Sequence, residues 1–415
     1  DVYKRQPSWA EIPPAPDVEV ALSETLSHWR SWLGEVEVDD SYREQVERSL
    51  LVLKALTHRR TGGIIAAATT SLPEDFGGVR NWDYRFCWLR DAALSLEALL
   101  AHDHLSTAHS WRSWLLRAIA GDPEHLQIMY GVAGERRLPE EELRHLPGHA
   151  DSAPVRIGNG AVDQFQGDVV GEVLIALSQM RERGVEEDER SWQLQLELVR
   201  FTARHVDDKD QGLWEMRGDP AYFTHSRVMT WAAFDRMIDA VEHHAMPVEA
   251  DELEQWRILR DRLRDEIMTH GTDASGAFTQ TYGSTEVDAS LLQIPHTGFL
   301  AADDPHMLAT VARIEADLMT ESGLILRYRT QGQDGLPGDE YPFVVCACWL
   351  VEQYAASGRT EDAHALFEKV LACGNELDLH AEEYDDVLGR QAGNFPQAFS
   401  HLGIIGAVDA LTGRR

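Results

Sequence analysis

Gly77-Gly78-Val79-Arg80-Asn81-Trp82-Asp83-Tyr84-Arg85-Phe86-Cys87-Trp88-Leu89-Arg90-Asp91 ends a long loop and opens a helix. Apolar residues then recur at helical spacing over 88–101, a short turn follows near Asp103–Ser106, and a second helical pattern runs over 107–120. A long loop feeding a tight helical hairpin is therefore the local unit. The fold depends on how often that unit repeats.

It repeats along most of the chain. Helical periodicity marks 19–34, then 42–57, 88–101, 107–120, 168–182, 189–205, 227–245, 250–268, 287–294, 304–318, 343–356, 360–371 and 397–411. Short connections near Gly184–Asp188, Met246–Glu249 and Ser357–Arg359 alternate with long ones at 58–87, 121–167, 206–226, 269–286, 319–342 and 372–396. Strand signals are few and short, as at Gly323–Tyr328. The expected fold is all-α. Six hairpins with alternating connections suit a closed double ring, an (α/α)6 barrel, better than a linear solenoid. All long loops then emerge at one rim, and loops of that length are usually functional. The barrel is expected over 19–415, preceded by a proline-rich linker at 1–18 with Pro7, Pro13, Pro14 and Pro16.

Bulk composition removes several function classes. With 38 Lys and Arg against 70 Asp and Glu, the 415-residue chain carries a formal charge of −32. Phosphate backbones and anionic lipid repel such a surface, so nucleic-acid and membrane partners are not expected. No stretch approaches the length of a membrane-spanning helix. Cys87, Cys346, Cys348 and Cys373 fit no zinc spacing and read as buried thiols of a reducing, cytoplasmic setting. No metal or organic cofactor is expected. The chain begins without Met or a signal segment, so an upstream part is expected to be missing.

The rim loops carry the chemistry. In the opening stretch, Arg90 and Asp91 side by side can hold adjacent sugar hydroxyls, one donating and one accepting. Trp82, Tyr84 and Trp88 offer flat apolar faces with polar tips. The second loop ends Ile157-Gly158-Asn159-Gly160-Ala161-Val162-Asp163-Gln164-Phe165-Gln166-Gly167-Asp168, either a polar turn with Asp168 capping a helix or a polyol contact. The third holds Gly212-Leu213-Trp214-Glu215-Met216-Arg217-Gly218. A glutamate beside a tryptophan can stay protonated through desolvation. The fifth holds Leu326-Arg327-Tyr328-Arg329, and the sixth Ala381-Glu382-Glu383-Tyr384. Two carboxylates in sugar-gripping loops suit glycosidic hydrolysis. One protonates the leaving oxygen, and the other activates water on the far face.

These loops, in this order from about residue 19 to the end, resemble glycoside hydrolase family 15, the glucoamylase and bacterial trehalase family. The strongest pieces are Arg80-Asn81-Trp82-Asp83-Tyr84-Arg85 with Trp88-Leu89-Arg90-Asp91, then Gly212-Leu213-Trp214-Glu215, and Gly393-Asn394-Phe395-Pro396-Gln397-Ala398-Phe399-Ser400-His401. The resemblance implies the (α/α)6 barrel and inverting hydrolysis at a non-reducing glucosyl unit. It implies Glu215 as general acid and Glu382 as general base, with Glu383 the lesser candidate. Arg90 and Asp91 then grip the terminal glucose, Tyr84 lies near the water, Trp88 is an aromatic wall, and Arg327 matches the family's Arg-Tyr loop. Trp82, Trp214 and Glu383 complete the expected sugar contacts. The chain departs from the family pattern at Val170 and His225, where tyrosine is common, and the family's N-terminal β-sandwich domain is expected to belong to the missing upstream part.

The resulting expectation is an inverting α-glucosidase acting on a small carbohydrate, with carboxyl groups about 6.5–9.5 Å apart. Glucoamylase-type α-1,4 cleavage ranks first and trehalose hydrolysis second. A phosphorylase and a non-catalytic carbohydrate-binding fragment are the readings from other classes.

Overall fold

This computed structural model describes residues 17–34, 41–119, 125–330 and 334–414, so residues 1–16 of the linker expected at 1–18 lie outside the described residues, and its last two, Asp17 and Val18, cap and open a helix. The chain forms two units, Asp1–Glu37 and Val38–Arg415. The first contains α1 (Val18–Leu33), capped by Asp17, whose carboxylate accepts from the amides of Glu19 and Val20. No residue of α1 is buried, and Val18, Val20, Leu22 and Leu26 are exposed on it.

The second unit contains α2 (Arg43–Leu56), α3 (Leu89–Ala101), α4 (Leu105–Ile119), α5 (Val169–Glu182) and α6 (Glu189–Arg204). It continues with α7 (Thr224–His244), α8 (Ala250–His270), the 3-10 segments Ala289–Gln293 and Pro295–Thr297, α9 (Pro305–Leu318), α10 (Val344–Ala356), α11 (Thr360–Leu371) and α12 (Ala398–Leu411). Each of α3, α5, α7, Ala289–Gln293, α10 and α12 packs on the next, and α12 packs back on α3. That contact closes the inner ring, which a linear solenoid would leave open. Helices α4, α6, α8, α9, α11 and α2 lie against these six in the same order and form the outer ring. The chain is the expected all-α (α/α)6 barrel.

Sequence pattern decides which ring a helix joins. Twelve of the thirteen residues of α3 are buried, so it must be covered on every side. By contrast α8 buries only Trp256, Leu263 and Ile267, one stripe on one face. Helix α11 buries Ala363, Leu366, Phe367 and Val370 at i, i+3, i+4 and i+7, the spacing of a single inward face.

The fourth inner element differs from expectation. The α-helix expected over 287–294 is two short 3-10 segments. Pro295 has no N–H to continue an α-helical ladder, and Asp288 pulls the chain into a tight start by accepting from the amide and hydroxyl of Ser290. The strand signal at Gly323–Tyr328 yields only an isolated bridge, Met319 with Ile325. Short antiparallel pairs stiffen the rim instead. They are β1 (Cys87–Trp88) with β2 (Met129–Tyr130), β3 (Glu141–Glu142) with β4 (Arg156–Ile157), and β5 (Glu383–Asp385) with β6 (Arg390–Ala392). The four cysteines are buried and none is in a disulfide. No helix among the described residues is long and apolar enough to cross a membrane.

Candidate active site

Five of the six long loops, all but 269–286, contribute to one pocket that encloses about 700 Å³ of space, part of it open to solvent. Its walls include Trp82, Tyr84, Trp88, Arg90 and Asp91 from the first loop and the start of α3. Trp214 and Glu215 come from the third, Arg327 from the fifth and Glu382 from the sixth. Two carboxylates 167 positions apart therefore face one cavity.

Depth orders the lining. Arg90, Asp91 and Glu382 are buried at 7%, 5% and 2% exposure, whereas Trp82 is half-buried and Arg217 exposed. The deep end is thus charged and closed, and the mouth carries Trp82 and Arg217. At the deep end Arg90 pairs with Asp91 at 3.1 Å, donates to the Leu213 carbonyl at 2.9 Å, and lies over the Phe399 ring. Burial raises the Asp91 carboxyl against the opposing pull of Arg90.

Glu215 is held in an uncommon conformation. Its φ of 59° lies in the left-handed region, which costs a non-glycine residue about 1–2 kcal/mol. Neighbours fix that backbone: Gln164 donates to the carbonyls of Glu215 and Met216 at 3.2 and 3.3 Å, and the Arg217 amide donates to the Asp334 carbonyl at 2.8 Å. Gly212 sits at φ 69° against the Phe223 ring, which a side-chain carbon would meet at 2.8 Å. The Glu215 carboxyl accepts from Trp88 Nε1 at 2.6 Å and has the Arg90 guanidinium at 3.9 Å. Trp214 is anchored by donating to Asp288 at 3.2 Å and packs among Tyr328, Phe343 and Trp349.

Glu382 lies on the other side of a short aromatic bridge. The Trp88 ring meets Tyr84 edge to face at 5.6 Å, and the Tyr84 hydroxyl reaches Glu382 Oε1 at 2.9 Å. Gln397 donates to the same oxygen at 3.4 Å, and Oε2 has no hydrogen-bond partner among the described residues. Burial, then Glu74, pushes the Glu382 carboxyl up, against the pull of Arg327 and Tyr84. Gly393, at φ 79°, leaves the room that Glu382 needs, since a side-chain carbon there would meet Glu382 Cβ at 2.8 Å.

Glu383, offered from the sequence as a sugar contact, does not line the pocket. It opens β5, where successive side chains point to opposite faces, so it faces away from Glu382. Its fully buried carboxylate accepts from the Tyr341 amide at 3.1 Å. Arg327 does line the pocket, but its guanidinium is engaged. It holds Glu340, with Nε to Oε2 at 2.6 Å, and stands 3.5 Å from Glu74. Arg80 pairs with Glu340 and with Asp334, the latter at 2.7 Å.

Sequence reasoning passed over Glu74, which is 1% exposed and bonded to both Trp82 Nε1 and the Tyr84 hydroxyl. Nothing in Ser71-Leu72-Pro73-Glu74-Asp75 separates it from half-buried Asp75. The second loop divides between the readings left open for it. Asn159 lines the pocket, while Gln164 and Gln166 act as braces behind it. Asp168 is the N-cap residue of α5 but makes no side-chain cap bond.

That leaves Asp168 as a buried carboxyl whose oxygens have no side-chain partner among the described residues, and burial pushes its pKa up to about 6 against the pull of Arg90. The unfolded value is near 3.9, so the native state binds this proton more tightly. Stability from this group is lost as pH rises from about 4 to about 6 and stays lost above it. Asp168→Asn is expected to match the wild type at pH ~4 and to be more stable at pH ~7.5 by roughly 3 kcal/mol. Urea unfolding at the two pH values measures the difference.

The family model described as Glycosyl hydrolases family 15 matches residues 40–409. The trehalase of Mycobacterium tuberculosis is 40% identical over 409 residues, which cover 97% of this chain and 60% of that protein. The trehalase of Thermoplasma volcanium is 37% identical over 385 residues, covering 92% of this chain and 61% of the relative. The chain therefore spans about three-fifths of the length of these relatives. A bacterial glucoamylase solved with acarbose superimposes with a TM-score of 0.70 at 15% identity, over 95% of this chain and 60% of that one.

Proposed function

Because the chain belongs to glycosyl hydrolase family 15, we propose that it hydrolyses α,α-trehalose, with Glu215 as general acid and Glu382 as general base. The observation that carries the substrate is the pair of relatives named trehalase, matched across nearly the whole chain. The glucoamylase-type reading ranked first from the sequence gives way on this point. Likeness to the bacterial glucoamylase is confined to the fold, whereas likeness to the trehalases extends through the sequence.

The geometry supports the division of roles. One glucosyl unit fills the closed end, gripped by Arg90 and Asp91, and the leaving glucose lies toward the mouth. Glu215 Oε1 already accepts a hydrogen bond from Trp88, so the proton to be donated sits on Oε2. Glu382 takes a proton from the water that attacks the opposite face. Trehalose has two α-linked anomeric centres, so inversion at one yields one β- and one α-glucose per molecule. The test is incubation with trehalose, maltose and soluble starch, with the anomers followed by NMR. Equal initial α- and β-glucose from trehalose is expected. Release of α-glucose alone, or glucose from starch but not trehalose, would overturn the proposal.

Arg217 is placed to read the leaving sugar. It is exposed at the mouth, two residues past Glu215, with its guanidinium 5.3 Å from the Trp82 ring centre. Arg217→Ala should raise KM for trehalose roughly tenfold, the value of one charge-assisted hydrogen bond of about 1.5 kcal/mol. Hydrolysis of α-glucosyl fluoride, which brings no second sugar, should be unchanged. Equal losses on both substrates would count against this role.

A further inference from the structure

The Tyr84 hydroxyl lies 2.9 Å from Glu382 Oε1 and 3.0 Å from Glu74 Oε1. A phenol has one hydrogen to donate, so it can serve only one carboxylate at a time. The other contact is favourable only if that carboxyl carries a proton and donates it to the phenol oxygen. Two ionised carboxylates here would leave a bare oxygen against oxygen in a buried site, where an unmet polar contact is costly. We propose that Glu74 is the proton-holding partner of the general base: protonated Glu74 donates to Tyr84, Tyr84 donates to Glu382, and Glu382 is thereby kept ionised and aimed.

The cations near Glu74 are largely committed to other acids. From the fifth loop, Arg327 approaches Glu74 at 3.5 Å, but it is committed to Glu340 through two hydrogen bonds. Arg80, from Glu74's own loop, is committed to Glu340 and Asp334. Tyr328 also turns its hydroxyl to those two acids. Two guanidiniums are thus matched by Glu340 and Asp334, and Glu74, Glu382 and Glu383 remain as further buried carboxyls around them. Donors alone do not separate two of them, since Glu382 Oε1 faces Tyr84 and Gln397 while Glu74 faces Tyr84 and Trp82 Nε1; the general base must be ionised to take a proton from water, and that need assigns the shared proton to Glu74. Burial raises both Glu74 and Glu382, each opposed by Arg327, so at least one of the pair is disfavoured as an anion. Glu74 is a positioning residue; it acts through Tyr84.

This inference rests on Glu382 being the base, and α-glucosyl fluoride isolates that half of the reaction. Fluoride departs without a proton and without a second sugar, so the result is independent of the trehalose assignment, which its own experiment tests. Glu74→Ala should lower kcat for the fluoride at least about tenfold with KM little changed, and should move the acid limb of the pH profile up by about one unit, because Tyr84 is no longer aimed. Glu74→Gln, the isostere of the protonated acid, can still donate to Tyr84. It should recover most of the lost turnover and return the acid limb to its wild-type position. Three results would overturn the proposal. Glu74→Gln could be as slow as Glu74→Ala. It could move the acid limb down by a unit, showing that position 74 works as an anion. It could also fail to fold, showing that a neutral side chain does not fit there.

Discussion

Glu215→Gln is expected to lower kcat for trehalose by at least about 100-fold, the lower end of what a general acid contributes, or roughly 3 kcal/mol of barrier. The substitution removes little else. A glutamine Oε1 can still accept from Trp88 Nε1, now 2.6 Å from the carboxylate. The backbone stays held by Gln164 and by the Arg217 amide, neither of which uses the carboxyl. Folding should survive, and KM should change much less than kcat, because the lost interaction is made in the transition state. The decisive comparison is again α-glucosyl fluoride, whose leaving group needs no proton. Glu215→Gln should hydrolyse it at a rate close to wild type while trehalose turnover collapses. Near-normal trehalose turnover would remove Glu215 from the acid's role, and equal losses on both substrates would make it a structural residue.

The contrast between Glu215 and Glu74 shows what the sequence makes legible. Glu215 is flanked by Trp214 and by turn glycines Gly212 and Gly218, a local signature that can be read. Glu74 has no such flank, and its importance comes from residues distant in the chain, Arg327 and, through Tyr84, Glu382. The helices were legible for the same reason as Glu215. Burial on all sides in α3 or α12, and on one stripe in α8 or α11, is a property of short windows. The fourth inner element was misread because 287–294 has helical apolar spacing, while Asp288 and Pro295 at its ends set a tighter 3-10 path. Glu383 adjoins Glu382 in sequence but does not line the pocket, because adjacency in sequence is not adjacency in space. In a strand it means the opposite face.

Glu382→Gln should lose at least about 100-fold in kcat on both trehalose and α-glucosyl fluoride, since each needs a base to activate water. That shared loss distinguishes it from Glu215→Gln, which spares the fluoride. Stability should move the other way. Burial raises the Glu382 carboxyl, so its ionisation opposes folding at any pH above the unfolded glutamate value near 4.3. A neutral amide removes that opposition and can still accept from Tyr84 and Gln397 through Oε1. Glu382→Gln is therefore expected to melt at or above the wild-type temperature near neutral pH, with the gain vanishing toward pH ~4. A buried acid kept only for packing would behave differently, since its replacement would lower the melting temperature and activity together. A small cavity offers a further check. In Glu382→Ala, azide can enter as a nucleophile that needs no deprotonation, and attack from the water's side on α-glucosyl fluoride would give β-glucosyl azide. Formation of the β product places Glu382 beside the attacking face; the α product would place it on the side of the leaving group and end its assignment as base.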